Sequence, residues 1–298
     1  MSLFSLGSWR TYERIPRRQG LTVMRAARDA GITFLDDARY NDETGDAPIP
    51  TGYSEIVFGE LFRATGWQRD DVVVANKLWW ELWPAQDASA EIDGSLTRMG
   101  LDHIDLIYSM PPPDGLPIAE LVGQVGALIT AGKARAWGVG NWKAPDLAAA
   151  IAAARDAGVP PPVAAQLPYS LVRRDWVEDP AMDDALASAN IGLVASYVLA
   201  GGTLTGKYLR GERGRATDDA NPAIAAGKDL AARLVALADE WHVSATHLAF
   251  AFALSHPRRA SVLFGATTPE QLHENLAALA VHDALDAGQR ATLRDLTG

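Results

Sequence analysis

The chain has 298 residues, 48% hydrophobic and 21% charged, with 26 Gly, 17 Pro, no Cys and a formal net charge of -10. This is globular composition, long enough for one large domain or two ordinary ones. The missing cysteines exclude disulfides, a thiolate nucleophile and a cysteine-held metal centre, and the acidic balance argues against a surface for nucleic acid or anionic membrane.

The first residues, MSLFSLGSWRTYERIPRR, hold no apolar core with a small-residue cleavage site, so a cytoplasmic protein is expected. No stretch approaches the ~18 uncharged apolar residues of a membrane span. Apolar and β-branched runs then alternate with helical patterns along the chain. Strands are predicted at 3–6, 32–38, 72–78, 103–110, 134–140, 163–167, 191–199 and 261–266. Helices are predicted at 23–30, 54–65, 88–99, 118–131, 147–156, 181–189, 229–241 and 246–254. Gly31, Gly66, Gly100 and Gly132 stand where left-handed helix caps are expected. Eight β-α units without a linker predict a single (β/α)8 TIM barrel over residues 1–298. An open doubly wound sheet is the runner-up, and its glycine fingerprint after the first strand is absent. Two segments, 41–53 and 200–226, interrupt the alternation with loop-like composition after strands two and seven.

Charged and polar groups at the C-terminal ends of apolar strands stand out, because a buried strand end is a costly place for them. Asp36 closes ITFLD, Lys77 closes VVVANK and Gln166 closes VAAQ, with Tyr40 just beyond strand two. Singly, each is more often a turn former or a snorkelling side chain. Jointly, they suggest a tuned phenol, in which the Lys77 ammonium lowers the Tyr40 pKa and Asp36 holds the lysine. After strand eight, Thr268, Pro269 and Gln271 read as an N-cap, a first helical residue and a capping partner. In barrels such a helix start is either a phosphate site or simply a well-capped helix, and Lys207 and Arg215 of the preceding loop either add positive charge to it or are solvated. Trp79, Trp80 and Trp83 follow Lys77, and either at least one walls an apolar substrate pocket or they pack beneath a loop. The histidines show no convincing metal-ligand spacing, and no metal site is expected.

GITFLDDARYND, VVVANKLWWE, ARAWGVGNW, VAAQLPYSLVRR, ASYVLAGGTLTGKY and LFGATTPEQLHENLAAL, in that order, resemble the successive motifs of the aldo-keto reductases. GSWRTY, GWQRDDVVVANKLWW and GATTPEQLHEN are most similar in style to the branch of potassium-channel beta subunits and their bacterial relatives. The resemblance implies hydride transfer from NADPH, with NADH left open, to a small aldehyde or ketone. Tyr40 would donate the proton, supported by Lys77 and Asp36. It also implies that Gln166 and Asn141 hold the nicotinamide carboxamide, and that Leu199 and Lys207 lie along the pyrophosphate. Gly265, Thr267, Gln271, Glu274 and Asn275 match the adenosine end, and Trp9, Arg10 and Thr11 the loop beneath the cofactor.

Several positions depart from the family pattern. Met110 stands where the family's tetrad has histidine, and a thioether cannot donate to a carbonyl oxygen. Channel beta subunits also lack that histidine, so a cofactor-binding regulatory protein of little turnover is the alternative expectation; a larger sugar or polyketide ketone is a third. The interval from Asp36 to Tyr40 is one residue shorter than usual, which makes Tyr53 a weaker substitute for Tyr40. Ser196 aligns with the ring that stacks on nicotinamide, while Tyr197, one step along, would face the other way in a strand.

Overall fold

The computed structural model describes residues 1–212 and 222–297. Eight parallel strands close into a barrel in sequence order, β1 to β8, with β8 pairing back onto β1. They are β1 (Phe4–Gly7), β2 (Phe34–Asp36), β3 (Val73–Leu78), β4 (Ile104–Ser109), β5 (Ala134–Gly140), β6 (Ala164–Pro168), β7 (Gly192–Ser196) and β8 (Arg259–Phe264). The expected single barrel is therefore the fold, and all eight predicted strands are present, β5 with the predicted ends and the others with shifted ones.

The shifts have local causes. β2 is three residues long, against the seven predicted, because the chain folds back at once: the Tyr40 N–H donates to the Ala38 carbonyl. β7 stops at Ser196 because Tyr197 adopts a left-handed backbone, φ 58. The glycines at the four expected caps all have positive φ. Pro269–Ala284 is a helix with Thr268 as its N-cap, whose side chain accepts from the Gln271 N–H, as the spacing predicts. The segment 200–226 is less loop-like than its composition suggests: it forms short 3-10 turns at Ala200–Thr205 and Lys207–Arg210, and a helix begins at Pro222.

Side chains alternate faces along each strand. Outward-facing residues join the helices in one large core, while Phe34, Ala75, Leu106, Tyr108, Ala164 and Val194 form a separate cluster that fills the barrel interior. That interior is tight. A Cβ on Gly138 would lie 2.4 Å from the Ala164 carbonyl and 3.1 Å from the Tyr108 ring, so only glycine leaves room for that tyrosine. Two residues further along their strands, Phe34, Ala75, Tyr108, Ala164 and Val194 give way to Asp36, Lys77, Met110, Gln166 and Ser196. Period-two alternation thus brings the predicted polar residues to the inner side at the C-terminal ends, the face that carries chemistry in such barrels.

Candidate active site

Asp36, Lys77 and Gln166 are all buried, and they meet. The Lys77 ammonium donates to Asp36 Oδ1 at 2.6 Å, and Gln166 Nε2 donates to Asp36 Oδ2 at 2.8 Å. Both carboxylate oxygens are therefore satisfied, which makes the buried pair tolerable. Lys77 Nζ also lies 3.4 Å from the Asp37 carbonyl and 3.5 Å from the Tyr40 hydroxyl. Despite its short interval from Asp36, Tyr40 reaches the lysine. Its carbonyl accepts from the Gly52 N–H at 2.8 Å, and an antiparallel bridge from Asn41 to Thr51 pins the start of the inserted segment to its end. Tyr53 belongs elsewhere: its hydroxyl accepts from Arg17 at 2.9 Å.

The direction of the Tyr40 shift corrects the sequence expectation. Burial, followed by the charges of Asp36, Asp37, Glu13 and Glu55, pushes its pKa well above the ordinary phenol value. Lys77 is committed to Asp36 and sits nearly an ångström farther from the phenol, so its positive charge does not prevail. Tyr40 stays protonated at neutral pH, as a donor must.

Met110 is buried at the end of β4, where its sulfur lies against Gly140: a Cβ there would come within 2.7 Å of Sδ. Against the lowering effect of neighbouring Gln166, burial and the Asp36 charge keep the interior phenol of Tyr108, two residues earlier, protonated. Of the three tryptophans, half-buried Trp79 meets Tyr40, ring centroids 6.0 Å apart at 66°. Trp80 corrects the expectation for its position. It is 1% exposed, with its indole N–H donating to Ser109 Oγ at 3.0 Å, so it belongs to the core and not to a substrate wall. Trp83 packs edge-on against Trp80.

A profile of the aldo/keto reductase family matches residues 4–297. The chain belongs to the aldo/keto reductase family. It is 31% identical to a probable voltage-gated potassium channel subunit beta of Oryza sativa subsp. japonica, over 94% of this chain and 88% of that one. The corresponding Arabidopsis thaliana protein is 30% identical over the same shares. An L-glyceraldehyde 3-phosphate reductase of Escherichia coli strain K12 is 29% identical over 92% of this chain and 83% of that one. Membership supports carbonyl reduction in general as the activity of this fold.

The described residues that resemble the family's cofactor positions follow the C-terminal ends of β1, β5, β6, β7 and β8 or lie at them. Asn141 follows β5 with a left-handed backbone, φ 58, and its N–H donates to the Gln166 carbonyl at 3.0 Å. Ser196 ends β7, and Tyr197 beside it lies under the Arg173 guanidinium at 5.8 Å. Leu199 and Lys207 flank the 3-10 turn after β7, with the Lys207 ammonium 5.0 Å from the Tyr208 ring. Arg215 lies outside the described residues. After β8, past Gly265, the Thr267 N–H and hydroxyl both donate to Gln271 Oε1 at 2.9 Å. Beside this turn a surface cavity of about 450 Å³ is lined by Arg18, Gln19, Thr22 and Thr268. Asn275 is buried, while Glu274 is exposed and turned to the neighbouring helix, accepting from Ser244 at 2.7 Å and pairing with His247 at 3.2 Å. Trp9 is 39% exposed beneath the Arg10 guanidinium, and the Thr11 hydroxyl is spent on the Trp9 carbonyl.

Sequence reasoning passed over three residues of the site's frame. Asp37 is buried beside Asp36; Oδ1 accepts from Ser8 Oγ, and Oδ2 has no partner among the described residues. Burial, then the Glu55 charge, pushes its carboxyl well above the usual range, against the lowering effect of Ser8, the Ala38 N–H and Lys77. Arg39, next to Tyr40, and Glu91 are also buried. The apolar alternation flags polar residues at inner strand positions; it is blind to those on loops and helices.

Proposed function

We propose that the chain is an NAD(P)H-dependent carbonyl reductase with Tyr40 as the proton donor. The observation that carries this reading is Lys77 Nζ placed between Asp36, at 2.6 Å, and the Tyr40 hydroxyl, at 3.5 Å. The donor set suits a long, polar, anionic dinucleotide. Asn141 and Gln166 offer amides, Lys207 a cation and Thr267 and Thr268 hydroxyls, on successive barrel loops. The buried hydroxyls of Ser170 and Thr203, after β6 and β7, have no protein partner among the described residues and fit the same role. A bound nicotinamide supplies the hydride to the carbonyl carbon. The chain's part is to place the carbonyl oxygen against the Tyr40 O–H and deliver its proton there. The Lys77 ammonium stabilises the phenolate left behind, and Asp36 and Gln166 hold the lysine in place.

Met110 favours a second reading, a dinucleotide-binding protein with little turnover. Losing one donor to a developing oxyanion typically costs about 10²–10³ in rate, and the two plant relatives are described as channel subunits.

One experiment separates these. The protein is titrated with NADPH and with NADH by tryptophan fluorescence, and oxidation of the bound nucleotide by a panel of aldehydes and ketones is followed in single turnover, for wild type and Tyr40→Phe. The reductase reading expects binding, turnover in the wild type, and loss of roughly 10² or more in Tyr40→Phe at near-unchanged nucleotide affinity. Binding without any turnover selects the second reading, and absence of binding to either nucleotide removes both. Full activity in Tyr40→Phe removes Tyr40 as the donor.

A further inference from the structure

Glu91 lies in the first turn of the helix Ala88–Met99, 4% exposed. Its two carboxylate oxygens are not used by that helix. Oε1 accepts from the backbone N–H of Trp79 at 2.8 Å, and Oε2 from that of Trp80 at 3.2 Å. Oε1 also lies 3.6 Å from Arg39 Nη2. Arg39 precedes Tyr40, and its guanidinium is further fixed by Thr51 Oγ1 at 2.9 Å and Glu81 at 2.9 Å. Trp80, whose backbone is left-handed at φ 63, continues the chain of contacts: its indole reaches Ser109, the residue before Met110. One carboxylate therefore ties together the ends of β2 and β3 and, through Trp80, β4. These are the strand ends that present Tyr40, Lys77 and Met110.

The side chain of Trp79 has no polar anchor of its own, since its indole nitrogen is buried without a partner among the described residues. What fixes the ring edge-on to Tyr40 is its backbone, and what fixes that backbone is Glu91. A buried carboxylate that accepts two main-chain N–H groups and faces a guanidinium leaves little freedom to the loop it holds. A left-handed bulky residue such as Trp80 persists only where its surroundings over-determine it.

We infer that Glu91 is a positioning residue of the reduction site: it holds the turn after β3 and the Arg39–Tyr40 segment in register, so that Trp79 packs against Tyr40 and the phenol stays on Lys77. The inference rests on the proposed reductase reading for its kinetic consequence, not for its structural one.

The test is a mutant cycle with a spectroscopic arm. Glu91→Gln keeps the shape but places an amide NH2 against one of the two backbone donors. Its expected effects are a kcat for carbonyl reduction ten- to a hundredfold lower, a nucleotide Kd within twofold of wild type, and a weakened near-UV circular dichroism band from the Tyr40–Trp79 pair. In a Trp79→Phe background, Glu91→Gln is expected to slow the reaction little further. Wild-type kcat with an unchanged near-UV band overturns the inference. So do Glu91→Gln and Trp79→Phe losses that simply multiply, because Glu91 then does not act through Trp79. Should Glu91→Gln not accumulate folded, Glu91→Asp, which withdraws the charge by one methylene, is read by the same outcomes. The circular dichroism arm needs neither nucleotide nor substrate, so a failed reductase reading, seen as a wild type without turnover, remains distinct from a failed role for Glu91.

Discussion

Asp36 and Asp37 are adjacent and both buried, and they differ in their partners. Asp36 turns into the barrel, where Lys77 and Gln166 satisfy both of its oxygens. Asp37 turns towards Ser8 and the Glu55 charge, has one oxygen without a donor among the described residues, and is driven towards its neutral acid. A carboxyl whose folded-state pKa is raised contributes stability that is fully present below the unfolded value near 4 and is lost as pH rises through the folded value. Asp37→Asn, a neutral isostere, should therefore raise Tm by a few degrees at pH 8 and change it little near pH 4. Thermal unfolding across that range checks this. A gain independent of pH would mean that the carboxyl is not the titrating group.

At the scale of the element, the interior of β4 and β5 shows how glycine and tyrosine positions depend on each other. Gly138→Ala places a methyl group 2.4 Å from a backbone oxygen and 3.1 Å from the Tyr108 ring. Neither neighbour is a flexible tip, so the substitution should destabilise by about 1–3 kcal/mol or more, seen as a lower urea midpoint. Existence and order of the strands were legible in their apolar runs, and Asp36, Lys77 and Gln166 stood out because polar groups end those runs. Less was legible in the connections. That Tyr40 still reaches Lys77 depends on the turn after Ala38 and on the Asn41–Thr51 bridge. Trp80 lies in the core because its left-handed backbone aims it at Ser109. Glu91 carries no signal in the sequence, because its burial depends on a strand-end turn more than ten residues away. The capping box at Asp286 and Gln289, which starts the last helix Ala287–Asp295, was readable in the spacing and is absent from the predicted elements.

For the whole molecule, length and β-α alternation pointed to one barrel, and the eight strands close into one. The closure is uneven. β1 shares only the pairs Phe4–Val262, Ser5–Leu263 and Leu6–Phe264 with β8, and Ser5–Phe34, Leu6–Leu35 and Gly7–Asp36 with β2. Between β4 and β5, pairs run from Ile104–Ala134 to Ser109–Val139. Amide hydrogen exchange should accordingly show stronger protection in β3–β5 than in β1, β2 and β8. Equal protection around the ring would show that the barrel opens only by global unfolding.

The filled interior has a consequence for proton supply. Beneath Asp36 and Lys77 lies the packed layer of Phe34, Ala75, Leu106, Tyr108, Ala164 and Val194, which fills the barrel interior. In a reduction at this site, the proton that Tyr40 gives up must come back through the mouth by which substrate enters and alcohol leaves. Recharging the acid and exchanging the product then share that mouth, and an enzyme of this shape cannot reset its phenol while it is blocked.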